Sequence, residues 1–84
     1  MTQALPTVAE YKVALDHHVD MGDITVDQGV ILLTAYVNHL SGRKTHVKAF
    51  MDRTGLDWRN VHYQINGLVQ RGALKKDDKY WYGI

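Results

Sequence analysis

Residues 58–71 carry the side chains that are best suited to recognise another molecule. At helical spacing, the positions opposite the apolar residues of this segment hold Arg59, Asn60, Tyr63, Asn66, Gly67 and Gln70. A guanidinium can bind guanine through O6 and N7, and a carboxamide can pair with adenine. The segment contains no Asp, Glu or Lys. Because carboxylates repel phosphates, this composition favours a face that reads DNA through Arg59, Asn60, Tyr63 and Asn66.

Lysines outside this segment are suited to bind the phosphate backbone. They are Lys44 and Lys48, near the start of the preceding predicted helix, and Lys75, Lys76 and Lys79, which follow the segment. Lysine–phosphate contacts are independent of base sequence and supply most of the non-specific affinity for DNA. We therefore expect these five lysines to position the chain on the duplex.

Gly67 is the one residue without a side chain among the positions opposite the apolar residues of 58–71. A glycine in a helix interior costs about 1 kcal/mol relative to alanine. Its position therefore predicts either the close approach of another backbone, from DNA or from a protein, or a tolerated loss of helix stability at the surface.

The residue types give little support to metal binding or catalysis. The chain has no cysteine, and the adjacent His17 and His18 point to different helix faces. No i, i+4 pairing occurs among the other histidines, His39, His46 and His62. The only serine, Ser41, stands at a predicted helix end, and no Gly-x-Ser-x-Gly or phosphate-cradling motif is present. The sequence predicts no metal, no cofactor and no enzymatic activity.

The composition is typical of one small globular domain over residues 1–84. The chain is 45% hydrophobic and 23% charged, and its longest aliphatic run, 30–33, is far shorter than the roughly 20 residues that span a bilayer. The N-terminus lacks the basic and apolar regions of a signal peptide. We therefore expect a cytoplasmic protein that does not associate with membranes.

The net charge of +1 conceals an asymmetry along the chain. Residues 1–42 hold one base and five acids, a net charge of −4, whereas residues 43–84 hold nine bases and four acids, a net charge of +5. This asymmetry indicates a basic face directed towards a polyanion. Chance clustering over a short sequence is the alternative.

Apolar spacing and capping signals predict four helices, over residues 8–21, 25–41, 45–53 and 58–71. Two of them begin with the spacing of a capping box, in the pairs Thr7–Glu10 and Thr25–Gln28. Residues 54–56, with Gly55 at their centre, predict a turn after the third helix, and Asp57 is the expected N-cap of the fourth. The second helix has a narrow apolar stripe made of Val26, Val30, Leu33, Val37 and Leu40, with Ile31, Leu32 and Tyr36 off the stripe. It is therefore expected to be central. The fourth helix is expected to bury Trp58, Val61, Ile65, Leu68 and Val69.

A hairpin is predicted over residues 73–84. Two short runs, residues 73–76 and 79–82, are joined there by Asp77 and Asp78, and Tyr80, Trp81 and Tyr82 have high strand propensity. The aromatic run 80–82 is expected to place Trp81, or its two neighbours, in the core, with stacking on single-stranded bases as the alternative.

The stretch VHYQINGLVQRGALKKDDKYWYGI, residues 61–84, carries a resemblance that runs from about Ile24 to Tyr82. With the helices before it, this stretch resembles the winged helix-turn-helix family, in the manner of MarR-type and ArsR-type bacterial regulators. Residues 71–74 resemble the family's helix-to-wing junction, and 80–82 its returning strand. The resemblance implies a mainly α fold with a small β-hairpin wing, here with an extra N-terminal helix, and a small bacterial or phage transcriptional regulator.

The family's usual docking implies that helix 58–71 enters the major groove of double-stranded DNA and reads it sequence-specifically. Because one small module rarely reaches regulatory specificity, we expect a homodimer, with the first helix either as its dimerisation element or as a lid over the core.

Two features depart from the family pattern. The predicted wing tip is the acidic pair Asp77–Asp78, and Phe50–Met51 stands where the family often has leucine followed by alanine. The acidic tip and the acidic front half favour an alternative function, a protein-interaction winged helix that acts as an adaptor or as an inhibitor of a nucleic-acid-processing complex.

Overall fold

The chain folds into four helices and three short strands. The helices are α1 (Val8–Asp20), α2 (Val26–Leu40), α3 (Val47–Thr54) and α4 (Trp58–Gln70), and the strands are β1 (Thr45–His46), β2 (Leu74–Asp77) and β3 (Tyr80–Gly83). The computed structural model describes residues 5–77 and 80–83, with the side chains of residues 5–76. The prediction of a mainly helical chain that ends in a pair of strands is confirmed. None of the helices within the described ranges is long and apolar enough to cross a bilayer.

Both predicted capping boxes are present. Thr7 Oγ1 accepts a hydrogen bond from the Glu10 N–H at 3.1 Å, and Glu10 Oε1 accepts one from the Thr7 N–H at 3.0 Å. Thr25 and Gln28 make the same reciprocal pair at 3.1 and 3.0 Å. Each box satisfies two backbone donors that the first helical turn leaves without partners, which fixes where α1 and α2 begin.

Helix α2 is central, as expected, because it packs against α1, α3, α4 and the sheet. The face that it buries is the one outside the narrow stripe. Gly29, Ile31, Leu32, Ala35 and Tyr36 are buried, whereas Val26 is 67%, Val37 39% and Leu40 41% exposed. The buried residues cover an arc of about 160° at 3.6 residues per turn, twice the width of the stripe. A helix that contacts partners on several sides has to bury its broader apolar face.

Helix α4 buries Val61, Ile65 and Leu68, each at most 1% exposed. The predicted burial of Trp58 and Val69 is wrong, since these residues are 59% and 37% exposed. Both lie at the edge of the face defined by the three buried residues, which have i, i+4 and i+7 spacing. Trp58 packs on the His62 ring, with 4.2 Å between the ring centroids.

The predicted helix 45–53 is wrong at its start, because Thr45 and His46 form strand β1. They pair antiparallel with Trp81 and Tyr80, and β3 lies between β1 and β2 in the sheet. Asp77 pairs with Tyr80, so β2 extends one residue beyond the predicted run 73–76. The predicted wing-tip residue Asp78, and the side chain of Trp81, lie outside the described residues.

Candidate nucleic-acid interface

Helices α3 and α4 form a two-helix unit whose turn is fixed by local hydrogen bonds. Gly55 has a φ of 74°, and its N–H donates to the Met51 carbonyl, which ends α3. Thr54 Oγ1 donates to the Phe50 carbonyl at 2.7 Å and accepts from the Leu56 N–H at 3.2 Å. A left-handed φ suits glycine at the end of a helix, so this turn has a defined geometry.

The start of α4 is set by the predicted N-cap residue. The Asp57 carboxylate accepts a hydrogen bond from the Asn60 N–H at 2.8 Å. Because Val61, Ile65 and Leu68 hold the opposite side of α4 in the core, the orientation of the helix is fixed from its first turn.

The outward face of α4 is a continuous polar surface. It consists of Arg59, Tyr63, Asn66 and Gln70, all exposed, within an arc of about 60° at 3.6 residues per turn. Tyr63 is 76% exposed. Asn60 is also exposed but lies outside this arc, so three of the four predicted base-reading residues share one face and Asn60 does not. Gln70 also lies on this face, as its spacing of four residues from Asn66 indicates.

Gly67 lies on a different side of α4 from the one predicted. It is half-buried, and a Cβ at this position would be 3.6 Å from Gln28 Nε2. The predicted place of Gly67 on the outward face is therefore wrong. The neighbour that approaches it is the first turn of α2, not a surface partner.

Four of the five predicted phosphate-binding lysines are described, and all four are exposed: Lys44, Lys48, Lys75 and Lys76. Lys48 is in the first turn of α3. Lys75 and Lys76 are neighbours in β2, and successive residues of a strand point to opposite faces. The structure thus separates these two lysines. Lys79 lies outside the described residues.

Arg71 follows α4, and its side chain contacts the turn between α1 and α2. Its Nη1 donates a hydrogen bond to the carbonyl of Asp23, in the turn between α1 and α2. Asp23 Oδ2 lies 3.0 Å from Nδ1 of His18, in the last turn of α1. These contacts connect the end of α4 to the acidic front half of the chain.

Helix α1 closes the core from the side of the chain's first residues. The ring of Tyr11 stacks on Tyr36, with centroids 4.0 Å apart and planes within 8°, and Tyr36 Oη donates to the Pro6 carbonyl at 2.5 Å. Burial raises the pKa of Tyr11, and the neighbouring Tyr36 adds to the rise. Leu15 is the buried residue of α1. These contacts favour the lid role over dimerisation through α1.

Among residues 5–77 and 80–83, no group of three or more His, Asp or Glu side chains is placed to hold a metal ion. No protein-family model matches the chain, and comparisons with the curated proteins and with the solved structures gave no significant match. The function therefore has to be inferred from the geometry of the chain itself.

Proposed function

We propose that this chain is a winged helix-turn-helix protein that binds double-stranded DNA sequence-specifically, as a small transcriptional regulator. The observation that carries the proposal is the outward face of α4, where Arg59, Tyr63, Asn66 and Gln70 are exposed on a helix without acidic residues. The order β1, α3, turn, α4, β2, β3 supports it, because β1 joins the hairpin in one sheet beside the two-helix unit.

The dimensions of α4 suit the major groove. A helix with its side chains is about 10–12 Å across and the groove is about 12 Å wide, so α4 can enter it with its first turns at the base edges. In such docking the N-terminal residues of the helix contact the bases. Arg59 and Asn66 are the residues for bidentate readout, and Tyr63 reaches a phosphate or a thymine methyl group.

In this proposal the lysines supply the part of the DNA affinity that depends on salt concentration. The proposed phosphate contacts are Lys44, Lys48 in the first turn of α3, and either Lys75 or Lys76 on the hairpin. Each phosphate neutralised contributes about −0.9 to the slope of log K against log salt concentration.

The experiment is a salt titration of binding to a random-sequence duplex, followed by fluorescence anisotropy. We expect steep loss of affinity with salt, and the Lys48→Ala variant should lower the magnitude of the slope by about 0.9. Lys12→Ala is the matched control, because Lys12 is an exposed lysine on α1 that pairs with Asp16, and its slope should equal that of the unaltered chain. No binding at low salt contradicts the proposal.

One observation favours the alternative, a protein-interaction winged helix. Trp58 is 59% exposed beside the polar face, and exposed tryptophans are frequent anchors of protein interfaces. If Trp58 serves a protein partner, the chain shows no salt-dependent DNA binding. If it serves DNA, the Trp58→Ala variant weakens binding to the duplex.

A further inference from the structure

The narrow stripe of α2, which the core covers only in part, is an aliphatic surface. We name it the α2 seam and define it as Val26, Val30, Leu33, Val37 and Leu40. Val26 is 67% exposed, Val37 39% and Leu40 41%, and the two residues between them are half-buried. A contiguous row of exposed aliphatic side chains on a small domain indicates a contact surface.

The spacing of the α2 seam points to a helix as its partner. Its residues are separated by four, three, four and three positions, which is the a/d spacing of a coiled-coil heptad. This spacing keeps an apolar row facing a neighbouring helix over several turns. An irregular protein surface does not require that regularity, so the partner surface is itself a helix with an apolar row.

Two clefts extend the α2 seam on either side of its midpoint. Beside Val26 and Val30 the cleft is bordered by Lys12 and Asp16 of α1. Beside Val37 it is bordered by Ala49 and Arg53 of α3. Leu33 lines both clefts, so the α2 seam has a cleft on each side, one bordered by α1 and the other by α3.

We propose that the α2 seam is the interface of a homodimer in which α2 of a second copy packs antiparallel to the first. A two-fold axis near Leu33 places Val26 of one copy opposite Leu40 of the other, and Val30 opposite Val37. Two-fold interfaces use the same patch on both copies, so the patch must be complementary to itself.

The charges match an antiparallel arrangement and oppose a parallel one. Asp23 and Asp27 lie at the beginning of α2, whereas Arg43 and Lys44 follow its end. Antiparallel packing brings the acidic end of each copy to the basic end of the other. Parallel packing would place like charges together at both ends.

The dimer leaves α4 uncovered. Gln28, which approaches Gly67 of α4, lies about 160° around α2 from the middle of the α2 seam at 3.6 residues per turn. The helix that carries the polar face and the surface that meets the second copy are therefore on opposite sides of α2. This inference does not depend on DNA binding.

The test is sedimentation velocity over about 1–500 µM protein, the range in which weak dimers dissociate. We expect a concentration-dependent dimer, and Val37→Glu should raise its dissociation constant at least about 100-fold, because symmetry places two buried carboxylates in the interface. Val69→Glu is the matched control, since Val69 is 37% exposed and Val37 39%. Circular dichroism melting verifies that both variants fold.

A charge exchange tests the orientation. Asp27→Arg and Arg43→Glu should each weaken the dimer, and the double variant should recover most of the lost affinity, because it restores opposite charges where the beginning of one α2 meets the end of the other. The proposal is overturned if the unaltered chain stays monomeric throughout this range, which would assign the α2 seam to a different protein. It is also overturned if Val37→Glu and Val69→Glu weaken the dimer equally, or if the double exchange is weaker than both single variants.

Discussion

The side-chain amide of Asn38 donates a hydrogen bond to Thr45 Oγ1 over 2.9 Å. Asn38 lies near the end of α2, and Thr45 begins the short strand β1, where it is 1% exposed. Thr45 is thus a buried polar residue whose hydroxyl has a defined partner. The contact joins the central helix to the sheet, immediately before the two-helix unit begins at Val47.

Removing the two partners of this bond should have unequal effects. Asn38→Ala leaves the Thr45 hydroxyl buried without its donor, which we expect to lower the free energy of unfolding by about 1–3 kcal/mol. Thr45→Val keeps the shape of the side chain and leaves a half-buried amide that water can reach, so its loss should be below about 1 kcal/mol. Urea unfolding measures both. If both variants lose the same free energy of unfolding, the burial of an unpaired Thr45 hydroxyl is not what makes the Asn38–Thr45 hydrogen bond important.

Gly67→Ala should stabilise the protein. The φ of Gly67 is not in the left-handed region, and a Cβ would meet Gln28 Nε2 at 3.6 Å, an ordinary contact. Alanine is therefore accommodated, and its helix propensity should raise the free energy of unfolding by up to about 1 kcal/mol. Gly55→Ala, where φ is 74°, is the control and should destabilise. A destabilised Gly67→Ala variant would show that α2 and α4 approach more closely than this.

Stability should fall at alkaline pH through Tyr11. Burial raises the pKa of this phenol above its ordinary value of 10.0, so the unfolded chain loses the Tyr11 proton at a lower pH than the folded chain does. The contribution of Tyr11 to the free energy of unfolding is complete below about pH 10 and declines as the pH rises towards the raised pKa. Tyr11→Phe keeps the stacked ring and removes the proton.

The measurement is the urea midpoint of both proteins between about pH 8.5 and 11.5, within the range where tyrosine titrates. The difference between them should stay constant up to about pH 10 and then change in favour of Tyr11→Phe. Parallel curves over the whole range would contradict the assignment. Lysines also titrate here, but they are common to both proteins and cancel in the difference.

If α4 reads bases through its outward face, Asn66 should matter more than Asn60. Asn66→Ala and Arg59→Ala are each expected to lower discrimination between a selected site and random DNA by about 1–3 kcal/mol. Asn60→Ala, outside the shared arc, should change it less. Arg59→Lys keeps the charge but loses the planar fork, so it should lower discrimination while preserving the salt slope. Competition binding against random duplex measures each, and equal effects of the two asparagine variants would contradict the shared face.

Local signals in the sequence predicted the helices well, because a capping box acts within four residues. Thr7 with Glu10 and Thr25 with Gln28 form in the structure as their spacing indicates. Gly55 and Asp57 likewise mark the turn between α3 and α4 by local conformational preferences. The positions of Arg59, Tyr63 and Asn66 on one exposed face follow from helix periodicity once the buried side is known.

Features that depend on distant residues were predicted poorly. Strand β1 has two residues, and only its pairing with residues 80–81 makes Thr45 and His46 extended, so a helical pattern extended over them. In α2 the apolar spacing indicated more than one apolar side but not which of them is buried. The choice between two apolar faces of one helix depends on the partners around it, and periodicity carries no information about them.

The order of strands in the sheet has a consequence for how the molecule assembles during synthesis. Strand β3 lies between β1 and β2, so it supplies the ladder partner of both. On a ribosome, Thr45 and His46 emerge well before Tyr80 and Trp81 are added, and α2, α3 and α4 can form in the meantime from local contacts. Strand β1 therefore has no ladder partner until the residues of β3 have been added. A nascent chain that stops short of residue 80 would contain all four helices but neither β ladder.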